Sequence, residues 1–515
     1  MKHSIIFFIL LLAVIFVDAQ QRYWVIFKDK AGVEFDPYSY FDKKAIDRRH
    51  KCGISLYDST DFPVKQEYIN SVAKIADSIN VITRWFNGVS VIVTGNQIDQ
   101  IAKLKCVKEI EPINMTSTLA EYQMYEDSTD FIKQANLQLN IMQGKKFIDN
   151  GINGKGVRIA VFDAGFPGVD KNPIFKHLWD NHQILMTYDF AKKKEFVFKF
   201  NHHGTMVLSC IAGIMDTTNI GLATGAEFLL ARTEVNSEPF SEEENWLAAA
   251  EWADKNGADI ISSSLGYTIP RYFQYQMDGV TTFVAKAAKM ASDKGILVVN
   301  AMGNDGDGRW KVVGTPADVP EVLSVGGVDP ATRYHINFSS FGPTASGVLK
   351  PEVCAAGFAA VASPKGITTA YGTSFATPLT TGFAACVLQT DTTLIGQQLK
   401  QKIIKSCTLY PYADYAHGYG IPQAGRILDS IPKVEKTFDV EITKNPESFN
   451  IKFKFLTNLI DYQYLYFELL DADKKIIYYR TVKIPGSYYV VDYSKSNARY
   501  FKAHYQGYTY ECEIK

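Results

Sequence analysis

The sequence predicts an α/β fold, a mostly parallel sheet with helices on both faces, preceded by a small α+β domain and followed by a small β-sandwich. Three observations predict it. In residues 138–431 short continuous apolar runs, such as Val157–Phe162 and Ile296–Ala301, alternate with helical stretches. Strands buried on both faces read that way. In residues 20–113 strands and helices alternate over a much shorter span. From residue 432 onward the chain is rich in Tyr, Phe, Val, Ile and Lys, with period-two alternation in Phe449-Asn450-Ile451-Lys452-Phe453-Lys454-Phe455.

Residues 1–19 read as a secretory signal. Lys2 and His3 precede an apolar run from Ile5 to Val17, and Ala19 is a small residue suited to cleavage before Gln20. The run is short for a membrane span, and no other stretch resembles one. The mature chain is therefore expected to be secreted, with cell-surface attachment as the alternative. The 20–113 unit opens on a strand at Arg22–Phe27. Helices follow around Phe41–His50 and Lys65–Ile79, then a strand region Val81–Val93, a helix Asn96–Lys105 and a strand Val107–Ile113. Residues 114–137 are polar and irregular and read as a linker. Within 138–431 the main elements are Val157–Phe162, Thr205–Ala212, Ala226–Ala231, Asn245–Asn256, Ala258–Ser263, Thr282–Lys294, Ile296–Ala301, Val322–Val325, Ser374–Leu388 and Thr392–Lys405. Residues 432–515 add strands at Tyr464–Leu470, Lys475–Val482, Tyr488–Val491 and Tyr508–Ile514.

The chain has 515 residues, enough for a large core and accessory domains. Lys plus Arg total 54 against 55 Asp plus Glu, so bulk charge gives no attraction to nucleic acid or an anionic membrane. Seven cysteines cannot all pair within one chain. Cys210 and Cys386 lie in apolar helical runs and read as buried thiols. Cys52 and Cys106 share one predicted domain, which leaves a pairing open. No Cys/His spacing fits structural zinc.

Four segments carry chemistry. Tyr371-Gly372-Thr373-Ser374-Phe375-Ala376-Thr377-Pro378 puts a serine where a helix begins, with Pro378 expected in the first turn. Val157–Phe162 ends in Asp163, ahead of Ala164-Gly165, at the strand tip where open α/β sheets place functional groups. His202-His203-Gly204-Thr205 opens a helix, and Val298-Val299-Asn300-Ala301-Met302-Gly303-Asn304 ends a strand on an Asn/Gly turn. Taken singly, each has a commoner explanation: an N-cap serine, a turn aspartate, a packed histidine, a turn asparagine. Together, the order Asp163, His203, Asn304, Ser374 is hard to dismiss.

On these motifs the chain resembles the subtilisin-like serine proteases (subtilases), which share the order Asp…His…Ser. The resemblance covers roughly the middle three-fifths of the sequence. It implies that Ser374 is the nucleophile, His203 the general base and acid, Asp163 its orienting partner and Asn304 an oxyanion donor. It further implies a substrate cleft walled by Ser264-Leu265-Gly266 and Ala301-Met302-Gly303, with Gly314 at the pocket floor. A glycine there favours an apolar or aromatic residue before the scissile bond. Glu238, Glu242, Glu243 and Glu244 flank a cleft loop, where an acidic first turn complementing the helix dipole is the simpler reading. Two departures stand out: Ala164 replaces the usual Thr or Ser, and the histidine is doubled, with His203 as the match. No cofactor is required. The family commonly binds structural calcium, for which no ligand cluster is assignable here.

By the same resemblance residues 20–113 correspond to a propeptide that templates folding and inhibits the cleft, against an ordinary retained N-terminal domain. The C-terminal domain looks somewhat like the secretion-sorting domains of proteases from Bacteroidetes-type bacteria, against a substrate-binding or stabilising module. The expected partners are protein or peptide substrates and the chain's own propeptide. The competing functional reading is a catalytically inactive relative used for surface binding or adhesion. An α/β-hydrolase esterase would need a Gly-x-Ser-x-Gly elbow and the order Ser…Asp…His, which are absent around Ser374.

Overall fold

The computed structural model describes residues 20–113, 123–125, 130–235, 241–364, 366–429, 434–444, 448–457, 464–484, 488–493 and 497–514. The signal-like residues 1–19, most of the 114–129 stretch and Glu238 lie outside them. Two compact units divide the chain, residues 1–34 with 59–115, and residues 35–58 with 116–515.

The smaller unit is a four-stranded antiparallel sheet in the order Ser78–Thr83, Gly88–Val93, Gln21–Phe27, Val107–Ile113. Its helices Gln66–Ala73 and Gln97–Ala102 bury Ile69, Val72 and Ile101 against Val25, Phe27, Val89 and Val91. The expected single strand region Val81–Val93 is a hairpin, turned at Asn87, whose φ of 51° is left-handed.

The larger unit is built on a seven-stranded parallel sheet. Across it run Val353–Ala356, Leu323–Val328, Leu297–Ala301, Ile260–Ser263, Arg158–Asp163, Glu227–Arg232 and Ile184–Asp189. The first of these in the chain, Arg158–Asp163, is flanked by Glu227–Arg232 on one side and Ile260–Ser263 on the other. The chain builds out one side, then reverses and builds out the other. The carboxyl end of Arg158–Asp163 is thus the switch point where open α/β sheets leave a crevice. Its residues are buried, as the apolar run required. The edge strand Ile184–Asp189 escaped the sequence reading because its apolar run, Ile184-Leu185-Met186, is only three residues long before Thr187.

The linker differs from expectation. Helix Phe131–Asn140 starts inside it and buries Ala135 and Leu139 in the main core. Gln138, fully buried, donates from Nε2 to Ile220 O and accepts from Ala360 N–H. Polar composition hid this helix because its buried face is itself partly polar.

Residues 438–513 form two antiparallel sheets. One has three strands (Phe438–Lys444, Phe449–Phe455, Tyr488–Tyr493) and the other four (Ile476–Lys483, Tyr464–Leu470, Tyr500–Tyr505, Tyr508–Glu513). Ile451, Phe453 and Phe455 point into the core while Lys452 and Lys454 face outward, as period two demands. Tyr466 and Tyr464 pack on Tyr412 and Tyr334, so aromatic contacts join this domain to the parallel-sheet domain. No disulfide forms: all seven cysteines are free, including Cys52 and Cys106. Burial pushes the Cys210 and Cys386 thiols well up, as expected of packed, inert sulfurs.

Candidate active site

Asp163 ends the parallel strand Arg158–Asp163 and is fully buried. Its Oδ1 accepts from the Ala164 N–H at 2.7 Å. That bond uses backbone alone, so alanine serves where a hydroxyl residue is usual. His203 is the first residue of helix His203–Ala212. Its Nδ1 lies 2.9 Å from Asp163 Oδ1 and 3.0 Å from Oδ2. The next residue must be small. A Cβ on Gly204 would sit 2.4 Å from Gly165 O and 2.9 Å from Asp163 Cβ. The His-Gly-Thr sequence therefore has a packing cause: glycine lets the helix start close on the aspartate turn. His202 is the N-cap residue, and burial lowers its basicity, with His203 adding to the effect. Of the doubled pair, only His203 is bonded to Asp163.

Ser374 is the second residue of helix Thr373–Thr390, which packs against the histidine helix. The turn into it needs Gly372, with φ of 153°. The Phe375 ring centroid is 5.8 Å from that of His203. Both Ser374 and His203 are 7% exposed, open just enough for a substrate atom to reach. First-turn N–H groups lie outside the intrahelical ladder and carry the positive end of the helix dipole. Asn304 is exposed beside them, and its Oδ1 accepts from both the N–H and the Oγ1 of Thr373 at 2.9 Å. With its carbonyl end so held, the amide Nδ2–H₂ is the end left to donate. Thr373 escaped the sequence reading, although it lies within the Gly-Thr-Ser motif. A hydroxyl directly before a helix-start serine was the available signal.

Pro378 is the sixth residue of the helix and not in its first turn, as the sequence had suggested. A proline there has no N–H for the carbonyl four residues back, which is that of Ser374. Ser264 Oγ takes the role, donating to Ser374 O at 2.9 Å, while Ser374 Oγ is 3.4 Å from Ser264 O. The proline thus frees a carbonyl through which the wall residue Ser264 is tied to the nucleophile helix.

The wall residues are brought side by side. Ser264-Leu265-Gly266 continues past Ile260–Ser263, with Leu265 O accepting from Asn300 Nδ2 at 2.8 Å. A Cβ on Gly266 would meet nothing within 4 Å, so its face is open to an approaching backbone. Gly314 N–H donates to Met302 O, and Tyr267 and Thr315 exchange backbone bonds at 2.9 and 3.2 Å. These bonds tie Ala301-Met302-Gly303 to Gly314, and the segment after Gly266 to Thr315. Glu242, Glu243 and Glu244 are buried, not arrayed on a cleft surface. Glu243 accepts from Tyr272 Oη at 2.7 Å and pairs with Arg271, although burial still raises its carboxyl.

Among the described residues no cluster of three or more His, Cys, Asp or Glu side chains could hold a metal ion. In the loop after Gly314, carbonyl oxygens of a kind suited to a cation are filled from within. Lys350 Nζ, fully buried, donates to Val319 O, Val322 O and Ser324 Oγ at 2.7–2.9 Å and pairs with Glu352. Lys400 Nζ bonds the same Val322 O and Glu352 at 2.9 and 2.6 Å. Burial pushes the Lys350 ammonium down to about 8.

A buried carboxylate holding an imidazole beside a helix-borne serine, at the switch point of a parallel sheet, defines a serine hydrolase of the Asp-His-Ser kind. Comparison with known proteins narrows the class. Residues 154–420 match the subtilase family, and residues 22–128 match the peptidase S8 propeptide domain of Bacteroidota. The first match spans just over half of the 515 residues. The chain belongs to the subtilase family and is a serine-type endopeptidase made with a propeptide. Subtilisin DY of Bacillus licheniformis is 27% identical over 52% of this chain and 89% of its own length. Subtilisin of Bacillus pumilus is 30% identical over 53% and 90%. A solved structure of MycP1 from Mycobacterium smegmatis covers 64% of this chain and 94% of its own at 21% identity, with a TM-score of 0.47.

Proposed function

We propose that this chain is a secreted endopeptidase, made as a zymogen, that cuts peptide bonds through an acyl-enzyme on Ser374. The observation that carries the reading is the bidentate approach of His203 Nδ1 to Asp163, at 2.9 and 3.0 Å, next to the helix that begins at Thr373. Nδ1–H donates to the carboxylate, which leaves Nε2 as the base. Ser374 Oγ attacks the scissile carbonyl carbon as its proton passes to His203 Nε2. The carbonyl oxygen becomes an oxyanion, met by the Ser374 N–H and Asn304 Nδ2. The imidazolium gives its proton to the leaving amine, the C–N bond breaks, and the ester remains. Water then repeats the sequence: its proton passes to the same imidazole, its oxygen bonds the acyl carbon, and the ester bond breaks as the imidazolium returns a proton to Ser374 Oγ. Asp163 stabilises the imidazolium without taking a proton.

Ser264–Gly266 and Ala301–Gly303 would pair with the substrate backbone as an added strand. Gly314 at the floor supports an apolar or aromatic side chain before the cut. The signal-like start supports export, and the propeptide match supports self-inhibition until the propeptide is released. An inactive adhesion protein would have no need of the Thr373–Asn304 bonds or the Asp163–His203 pair.

The test uses processed, secreted protein and tetrapeptide nitroanilides with Phe, Leu, Lys or Glu before the cut. Hydrolysis fastest after Phe or Leu supports the reading. No hydrolysis, or hydrolysis that survives Ser374→Ala, contradicts it.

A further inference from the structure

The propeptide match runs through residues 22–128, yet residues 35–58 belong to the compact unit of the parallel-sheet domain. Helix Lys43–Cys52 is the heart of this segment. It carries Arg48 and Arg49, which are 5% and 0% exposed. Both guanidiniums converge on Asp254, which is itself fully buried near the end of helix Ser241–Lys255. Arg49 reaches Asp254 Oδ1 and Oδ2 at 3.1 and 2.8 Å, and lies 3.7 Å over the Phe41 ring. Arg48 bonds Asp254 Oδ1, and also the carbonyls of Asp254, Ala258 and Lys294. Lys294 is the C-cap of helix Phe283–Asp293. Arg48 therefore bonds carbonyls at the negative ends of two helices at once.

The fit extends along the segment. Asp42 N–H donates to Lys255 O at 2.9 Å, and Lys44 Nζ reaches Gly156 O and Asp259 Oδ2 at 2.7 and 3.0 Å. Two glycines in the turns after those helices make room for it. A Cβ on Gly257 would lie 2.7 Å from Lys44 Cβ, and one on Gly295 would lie 2.3 Å from Cys52 Sγ. Surface lysines holding a passing loop would show none of this. A buried carboxylate shared by two forked cations, with carbonyls satisfied at both helix ends, is a built receptor.

We propose that residues 35–58 are the anchor that holds the propeptide to the peptidase domain, so that its retention depends on Arg48, Arg49 and Asp254. The receptor is Asp254 with the C-terminal ends of the two helices, and its ligand is a helix presenting adjacent arginines. Release then needs these contacts to break or the anchor to be digested. The proposal rests on the propeptide reading of this region and not on the catalytic residues.

The test starts from full-length Ser374→Ala protein with a site for a specific added protease inserted after Ser117. After cutting, gel filtration shows whether the N-terminal fragment travels with the rest. Retention in this parent is expected, with at least a tenfold smaller retained fraction in Asp254→Asn and in Arg48→Met/Arg49→Met. A fragment that leaves the parent freely, or one held equally in parent and variants, overturns the proposal. Should a variant fail to fold, hydrogen exchange on the cut parent decides. Amides of 43–52 as protected as those of 241–255 support the anchor, and fast exchange across 43–52 overturns it. No turnover is read, so a failure here leaves the proteolytic reading standing, and a failure of that reading leaves the anchor testable.

Discussion

The start of the serine helix and the ends of the two helices beneath the pro-segment put opposite poles of the same structure to opposite uses. At Thr373–Ser374 the chain gathers N–H donors, a positive pole, where the proposed mechanism places negative charge on a substrate oxygen. At Asp254 and Lys294 it gathers carbonyls, a negative pole, and meets them with Arg48, while Arg49 pairs with the Asp254 carboxylate. The first pole stays 7% exposed at Ser374, whereas the second is sealed, with Asp254 and Arg49 at 0%. A site that must release its ligand thousands of times is left slightly open with donors waiting. A site proposed to hold one segment is closed, with both guanidiniums bonded to one carboxylate.

This contrast breaks first at the nucleophile. Ser374→Ala should lower turnover by about 10⁶-fold, the size of effect known for subtilisin's own nucleophile, while leaving thermal stability close to the parent. Active-site titration and a melting curve on one preparation check both halves. The sealed pole should behave the opposite way. In full-length protein Asp254→Asn leaves two buried guanidiniums facing a neutral amide, and should cost about 3–5 kcal/mol of stability. A melting temperature equal to that of the parent would show that the buried triad is not the holding contact. Returning to the open pole, Asn304→Ala should lower kcat by about 10²–10³-fold with little change in KM, since its donor acts on the oxyanion alone. A rise in KM at unchanged kcat would make Asn304 a substrate-binding residue instead. Ser264→Ala removes the donor that Pro378 makes necessary at Ser374 O. It should cost about 1 kcal/mol by chemical denaturation.

The last test is a pH dependence in the C-terminal domain. Burial pushes the Glu468 carboxyl up from 4.5 to about 8, even with Lys502 Nζ at 3.3 Å. Between those values the folded chain keeps a proton that the unfolded chain has lost. This residue's contribution is therefore complete below about 4.5 and is lost as pH rises through about 8. Glu468→Gln cannot ionise, so its melting temperature should gain on the parent between pH ~5 and pH ~8.5. A pH-independent difference would contradict this account of the buried carboxyl.

The sequence made the catalytic geometry legible because its residues sit at element ends, where local chemistry forces the choice. Gly204 and Gly372 are demanded by contact and φ, and the apolar strands before Asp163 and Asn304 are demanded by burial on both faces. Residues 35–58 were not legible. Arg48 and Arg49 read as ordinary charges on a short amphipathic helix, and their partners are more than two hundred residues away. Helix Phe131–Asn140 was hidden by its polar composition, since Gln134 and Gln138 are buried on hydrogen bonds to distant carbonyls. Pro378 misled because proline's usual place is a first turn, and nothing local shows that Ser264 stands ready to replace the missing bond.

The most direct measurement of the central claim is the chemical location of a covalent probe. Processed enzyme is treated with a fluorophosphonate, digested and sequenced by mass spectrometry. The adduct should appear on Ser374 alone, in one-to-one yield, and be absent from His203→Ala, whose serine has lost its base. Labelling at another residue, or undiminished labelling of Ser374 without His203, would contradict the account.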